Sequence, residues 1–156
     1  VIPELRAATP ADAPAMAALI RAAFAAQSAA TEPPPSALQE TAESVAAALA
    51  EGGGAVACAG DVLMGAVLWR RQEAALYLGR LAVRPDWRRR GVAQALLAAA
   101  EAAARAAGLA RLRLGVRLAL ADNRRLFARQ GFVETALRTH AGFAAPTSVD
   151  MEKHLA

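Results

Sequence analysis

LYLGRLAVRPDWRRRGVAQALLAAAEAAARAAGL, residues 76–109, runs from a strand into a helix through a knot of positive charge. Residues 75–83 alternate with the period of a strand, which puts Tyr77, Gly79, Leu81 and Val83 on one face. Proline has no amide to give a ladder, so Arg84-Pro85 ends it. Residues 92–107 are dense in Ala, Leu and Glu, the strongest helix formers, and Gly108 stands where a helix end takes a left-handed residue. That helix should be about 24 Å long at roughly 1.5 Å per residue. Between strand and helix lies Arg88-Arg89-Arg90-Gly91-Val92-Ala93. A helix N-terminus already carries about half a positive charge and unpaired N–H groups, so each cation there is unfavourable by about 0.3–1 kcal/mol. Three in succession make sense if an anion, a phosphate or pyrophosphate, occupies the turn, with amides, helix dipole and arginine side chains converging on it. Gly91 lets backbone approach closely, and Ala93 leaves room beside it. The plainer reading is a solvated arginine patch, with Gly91 merely opening the helix. Two other phosphate motifs do not compete: Gly52-Gly53-Gly54 is not followed by Lys-Ser/Thr, and no G-x-G-x-x-G follows a strand.

Outward from this segment the composition is skewed. Of 156 residues 45 are Ala, and 17 of the 18 basic residues are Arg, with Lys153 alone, a bias that codon usage can produce. Position says more than the total. Arg80, Arg84, Arg88, Arg89 and Arg90 stand against Asp86 within 80–90, a window that equals the +4 of the whole chain. The length fits a single domain over 1–156, large enough to bury roughly two thirds of its unfolded surface without a disulfide or structural metal. Cys58 has no partner, and two histidines without clustered cysteines or acids give no metal site. The start, VIPELRAATPADAPAMAALI, lacks a charged leader and is broken by Glu4, Arg6, Pro10, Asp12 and Pro14, so it reads as part of the fold rather than a secretion signal. No uncharged run approaches the roughly 18 residues that span a bilayer. A cytoplasmic protein with no membrane partner is the expectation.

The order of elements follows from periodicity. A strand over 4–9 ends at Pro10, and Asp12 or Thr9 caps a helix with Met16, Leu19, Ile20 and Phe24 at helical spacing. TEPPPS, residues 31–36, is a loop, and a second helix over 37–51 carries Leu38, Val45 and Leu49. Strands over 55–59 and 62–71 meet at Gly60-Asp61, a hairpin turn. After the segment quoted above come a strand over 111–117, a helix over 122–130 closed by Gly131, and strands over 132–140 and 147–154. Hairpins mixed with strand-helix-strand crossovers predict an α/β protein with one mixed sheet and helices on both faces.

Residues 76–109 resemble the strand and helix that form the acyl-CoA site of the GNAT superfamily of N-acyltransferases, whose motif Q/R-x-x-G-x-G/A is met by Arg88, Gly91 and Ala93. RLRLGVRLALADNRRLFARQGFVE, residues 111–134, is similar to that family's later strand, helix and G-F ending, here Gly131-Phe132. The likeness in element order extends over nearly the whole chain. It implies a GNAT-like fold whose central mixed sheet is splayed at the cofactor site, with acetyl-CoA or another acyl-CoA as co-substrate and no metal. Carried over, the N–H groups of Arg89, Arg90, Gly91, Val92 and Ala93, beside Arg88, hold the pyrophosphate. Leu81 and Val83 pair with the pantetheine arm like an added strand, and an N–H near Leu81 or Ala82 polarises the thioester carbonyl. Asn123 and Phe127 are expected against the cofactor. The implied reaction is direct attack of a neutral primary amine on the thioester through a tetrahedral intermediate, with a base taking the ammonium proton. The acceptor is a small-molecule or peptide amine, and a homodimer is in keeping with the family. No acyl-enzyme is required, which leaves Cys58 as a buried strand residue.

The departures fall where proton transfer is decided. Phe127 stands where many relatives have a tyrosine that protonates the leaving thiolate, Leu120 where an asparagine often precedes it, with Asn123 one turn later, and Gly79 where some relatives place a glutamate base. Tyr77 is a substitute acid or a packing residue. His140 is a substitute base or a surface histidine. His154, Glu73 and Asp150 are weaker candidates, and Trp69 and Trp87 pack or wall the cleft. Two other functions stay open at this point. One is a module that binds acyl-CoA without turnover. The other is a nucleic-acid binder using the arginine window, against which stand aromatic residues that are sparse and not interleaved with the charge. No nucleic-acid partner is expected.

Overall fold

The computed structural model describes residues 3–27 and 29–156, so Val1 and Ile2 of the N-terminal stretch lie outside the described residues. In chain order the elements are β1 (Glu4–Ala7), α1 (Ala13–Ala25), α2 (Ala42–Glu51), β2 (Gly53–Ala59), β3 (Val62–Gln72), β4 (Ala75–Val83), α3 (Val92–Ala106), β5 (Arg111–Arg117), α4 (Ala121–Arg129), β6 (Val133–Arg138) and β7 (Ser148–His154). The strands form one sheet in the order β1-β2-β3-β4-β5-β7-β6. Neighbours are antiparallel except β4 and β5, which the α3 crossover makes parallel. The mixed sheet expected from the sequence is present.

Strand alternation sorts the side chains into two cores. Ala55, Val67, Leu76, Leu78, Leu112, Leu114, Val149 and Met151 face α3 and α4, where Leu96, Leu97, Ala100 and Phe127 cover them. Val56, Cys58, Ala66, Leu68 and Ala82 face α1 and α2, against Met16, Ile20 and Val45. Cys58 is thus the buried strand residue expected. Gly65 brings α3 close to the sheet: a Cβ there would lie 2.7 Å from Val92 Cγ1 and 2.9 Å from Leu96 Cδ1.

Two expectations need correction. The helix over 37–51 is two pieces, a 3-10 turn at Ser36–Gln39 and α2 from Ala42. Thr41 Oγ1 accepts from Ser44 N at 3.1 Å while Thr41 N donates to Ser44 Oγ at 2.8 Å, and this reciprocal cap starts the helix five residues late. The second concerns β4. Ala82 pairs with Ala66 but Gly79 pairs with Leu68, so β4 carries one extra residue, with Arg80 at φ +55°. The bulge reverses the alternation: Leu81 and Val83 pack toward the α3 core and Ala82 toward the α1/α2 core, so Tyr77 and Gly79 do not share their face.

Candidate active site

β4 and β5 pair only at Ala75, Leu76 and Tyr77 with Arg111, Leu112 and Arg113. Beyond Tyr77 the two diverge, β4 held by β3 and β5 by β7. The bulge supplies a cause, since an unpaired extra residue bends a strand and raises its twist. The result is a fork in which the β5-facing edge of β4, from Leu78 to Val83, has no strand partner among the described residues. A cavity of about 520 Å³ passes through it. On one side it is lined by Leu97, Leu120, Asn123 and Phe127, and on the other by Phe24, Glu40, Tyr77, Arg117 and His140.

The turn at the start of α3 lies beside the wide end of the fork. Arg89 and Gly91 have φ of +62° and +80°, and Gly91 precedes the first turn with no side-chain cap. Among the described residues, no partner accepts a hydrogen bond from the amides of Arg89, Arg90, Gly91, Val92 or Ala93. Successive free amides with left-handed residues between them form an anion-binding concavity. The arginine side chains do not converge on it as expected. Arg88 donates to Ala23 O and Ala26 O, both at 3.0 Å, closing the C-terminus of α1. Arg90 lies over the Trp87 ring at 4.9 Å, and Arg84 pairs with Asp86 at 3.1 Å. Arg89 alone of the run has no such partner among the described residues.

Of the residues singled out for catalysis, Leu81, Tyr77 and His140 all line the cavity. Leu81 follows the bulge. Tyr77 sits at the closed end of the fork with Arg70 over its ring at 4.8 Å. The His140 amide donates to Thr147 Oγ1 at 3.0 Å, and ring Nδ1 contacts the same oxygen, so Nε2 is the ring atom with no partner among the described residues. Asn123 is exposed at the start of α4 and Phe127 is buried below it. Trp69 walls the cavity, whereas Glu73 stands in the β3–β4 turn away from it and His154 ends β7, exposed.

The sequence reading missed how the segment after α1 is held. Arg80, at the bulge, donates to Glu40 Oε2 at 2.6 Å and to Ser36 Oγ at 3.1 Å. Arg117, on the other prong, donates to Pro33 O at 2.5 Å and Pro34 O at 3.4 Å. Burial holds the Arg117 guanidinium below the ordinary arginine value, with the Glu32 charge opposing. Residues 33–40 therefore strap the two prongs together on the α1/α2 side. The available signal was a cation inside each of two strands, Arg80 and Arg117.

A forked sheet beside an open amide turn sets two unpaired backbone surfaces next to each other, the fold of an acyltransferase class. The chain belongs to the acetyltransferase (GNAT) family, whose family model matches residues 16–132. It is accordingly an acetyl-CoA-dependent N-acetyltransferase. Among solved structures it is similar to a PaiA N-acetyltransferase from Thermoplasma acidophilum in complex with coenzyme A, at 17% identity and TM-score 0.82 with 99% of each chain covered. It also resembles the ribosomal-protein-S18-alanine N-acetyltransferase from Escherichia coli, at 18% identity and TM-score 0.76, covering 99% of this chain and 95% of that one. A ribosomal-protein-alanine N-acetyltransferase from Brucella melitensis matches at 22% identity and TM-score 0.74, covering 97% and 99%. A search of curated proteins finds no match. No helix among the described residues is long and apolar enough to cross a membrane, and no group of His, Cys, Asp or Glu among them could hold a metal ion.

Proposed function

We propose that the fork takes the thioester arm of acetyl-CoA along the free edge of β4, and that the amides of residues 89–93 take its pyrophosphate. The observation that carries this reading is the pair of unspent backbone surfaces, an unladdered edge over Leu78–Val83 and an unbonded amide turn next to it. A pantetheine arm has amides that complete such an edge, and a pyrophosphate has the charge that such a turn attracts. Acetyl-CoA supplies an activated acyl group. The chain supplies position and proton traffic: the backbone at Leu81 and Ala82 polarises a carbonyl, Tyr77 gives a proton to a departing thiolate, and His140 Nε2 accepts one from the amine.

The acceptor, a small-molecule or peptide primary amine, enters from the α1/α2 side under the 33–40 strap. Phe127 and Asn123 border the cofactor on the opposite side. One domain over 1–156 fits the chain length, the cytoplasm is the compartment expected from the sequence, and a homodimer is in keeping with the family, which sedimentation velocity checks. The direct test is calorimetry with acetyl-CoA, followed by a free-thiol assay against amines, amino acids, polyamines and peptide N-termini. Micromolar binding and acceptor-dependent thiol release are expected. Binding without release across the panel would favour a module that senses acyl-CoA, and no binding would overturn the reading.

A further inference from the structure

Arg80 is a non-glycine residue in the left-handed region, at φ +55°, within β4. An L side chain is crowded by the backbone there, so such a residue persists only where its surroundings hold it. The strap supplies the hold. Arg80 Nε donates to Glu40 Oε2 at 2.6 Å and Nη2 to Ser36 Oγ at 3.1 Å. The Arg80 side chain is 30% exposed and that of Glu40 13%, so this charge-assisted pair is largely enclosed, unlike a solvated surface bridge. Glu40 is itself fixed from two further directions. Its Oε1 accepts from Ser44 Oγ, in the first turn of α2, and its backbone carbonyl accepts from Arg21 Nη1 of α1 at 2.6 Å. The bulge, the strap, α1 and α2 therefore meet at one acidic residue.

We propose that the Glu40–Arg80 clamp sets the bulge in β4 and thereby aims the backbone of Leu81 and Ala82, which makes both clamp residues positioning residues for acyl transfer. The inference rests on the reading of the fork as the thioester site. Backbone N–H groups along a strand point alternately to its two edges, so a bulge that straightened would exchange the groups that meet β3 with those that meet the fork. Side chains alternate with them, and Leu81, Ala82 and Val83 would each turn toward the opposite core. Neither clamp residue has to touch the substrate, because the effect passes through the chain from residue 80 to residue 81. Glycine takes a left-handed φ without strain, so a glycine at 80 keeps the bulge without a clamp. That difference separates positioning from any direct action of the guanidinium or the carboxylate.

The test combines steady-state kinetics, with an acceptor from the thiol-release panel, and the Cα and Cβ chemical shifts of residue 80 in the free full-length chain, which separate left-handed from extended backbone. Arg80→Met keeps the aliphatic stem and loses the donors. It should lower kcat at least tenfold and change the KM for acetyl-CoA less than threefold, since the pyrophosphate turn lies elsewhere. Arg80→Gly should keep kcat within threefold of wild type. Glu40→Ala should move the residue 80 shifts toward extended values and lower kcat as Arg80→Met does, and its effect should disappear on the Arg80→Gly background. An Arg80→Gly enzyme as slow as Arg80→Met, a Glu40→Ala loss that persists beside Arg80→Gly, or left-handed shifts unchanged in Glu40→Ala would overturn the clamp. Failure of the wild type to bind acetyl-CoA would instead count against the cofactor site, and the shifts, taken without cofactor, would still decide whether the clamp sets the bulge.

Discussion

Phe127 occupies the place where a tyrosine would serve as acid, and its surroundings suit a hydrocarbon. It is 7% exposed and meets Phe132 edge to face, ring centres 5.8 Å apart. Phe127→Ala should cost about 3–5 kcal/mol of stability in denaturant unfolding. The pH profile of the remaining activity should keep its shape, because no titrating group is lost. Gly91 and Arg88 separate in the opposite sense, although both match the sequence motif. Gly91 sits at φ +80° with nothing within 4 Å of a Cβ, so Gly91→Asp costs only about 1–2 kcal/mol of backbone strain. The new carboxylate stands among the free amides, and calorimetry should show acetyl-CoA affinity reduced more than tenfold. The Arg88 guanidinium is occupied by carbonyls of α1. Arg88→Met should therefore lower stability by about 1 kcal/mol and change that affinity less than threefold.

At the scale of elements, β1 and α1 are joined by Arg6 and Asp12, whose two contacts are each 2.8 Å. The Arg6 hydrogen bonds hold the Asp12 carboxyl down at about 2, aided by the Thr9 amide and opposed by burial. A carboxyl depressed in the folded state stabilises above its ordinary value of 3.8, and that contribution is lost as pH falls from there toward 2. Because Arg6 is half exposed, the Asp12 contribution is on the order of 1 kcal/mol. Asp12→Asn should lower the melting temperature at pH 7 and leave it nearly unchanged at pH 2, as calorimetric scans can check. This tie also shows what periodicity can reveal. Met16, Leu19 and Ile20 marked α1 from spacing alone, because a buried helical face leaves a regular trace in sequence. The late start of α2 and the bulge in β4 left none. Each depends on a partner that spacing does not encode: the Ser44 hydroxyl for one, the register against β3 for the other.

Across the whole molecule, the seven strands form two half-sheets joined by three residue pairs between β4 and β5, with α3 packed across β2, β3, β4 and β5. The element order was legible because parallel neighbours demand a crossover helix. The fork was legible only through family likeness, since the bulge that opens it depends on the register of β4 against β3, which spacing does not encode. A ligand wedged between the half-sheets supplies contacts that the sheet omits, and it binds the folded chain alone. Acetyl-CoA at about 100 times its Kd therefore stabilises by about 2.7 kcal/mol through mass action. For a domain of this size that raises Tm by roughly 5–10 °C. The increase should fall to about half or less in Gly91→Asp, whose affinity is at least tenfold lower. A wild-type Tm unmoved by saturating acetyl-CoA would mean that the fork closes on itself in solution.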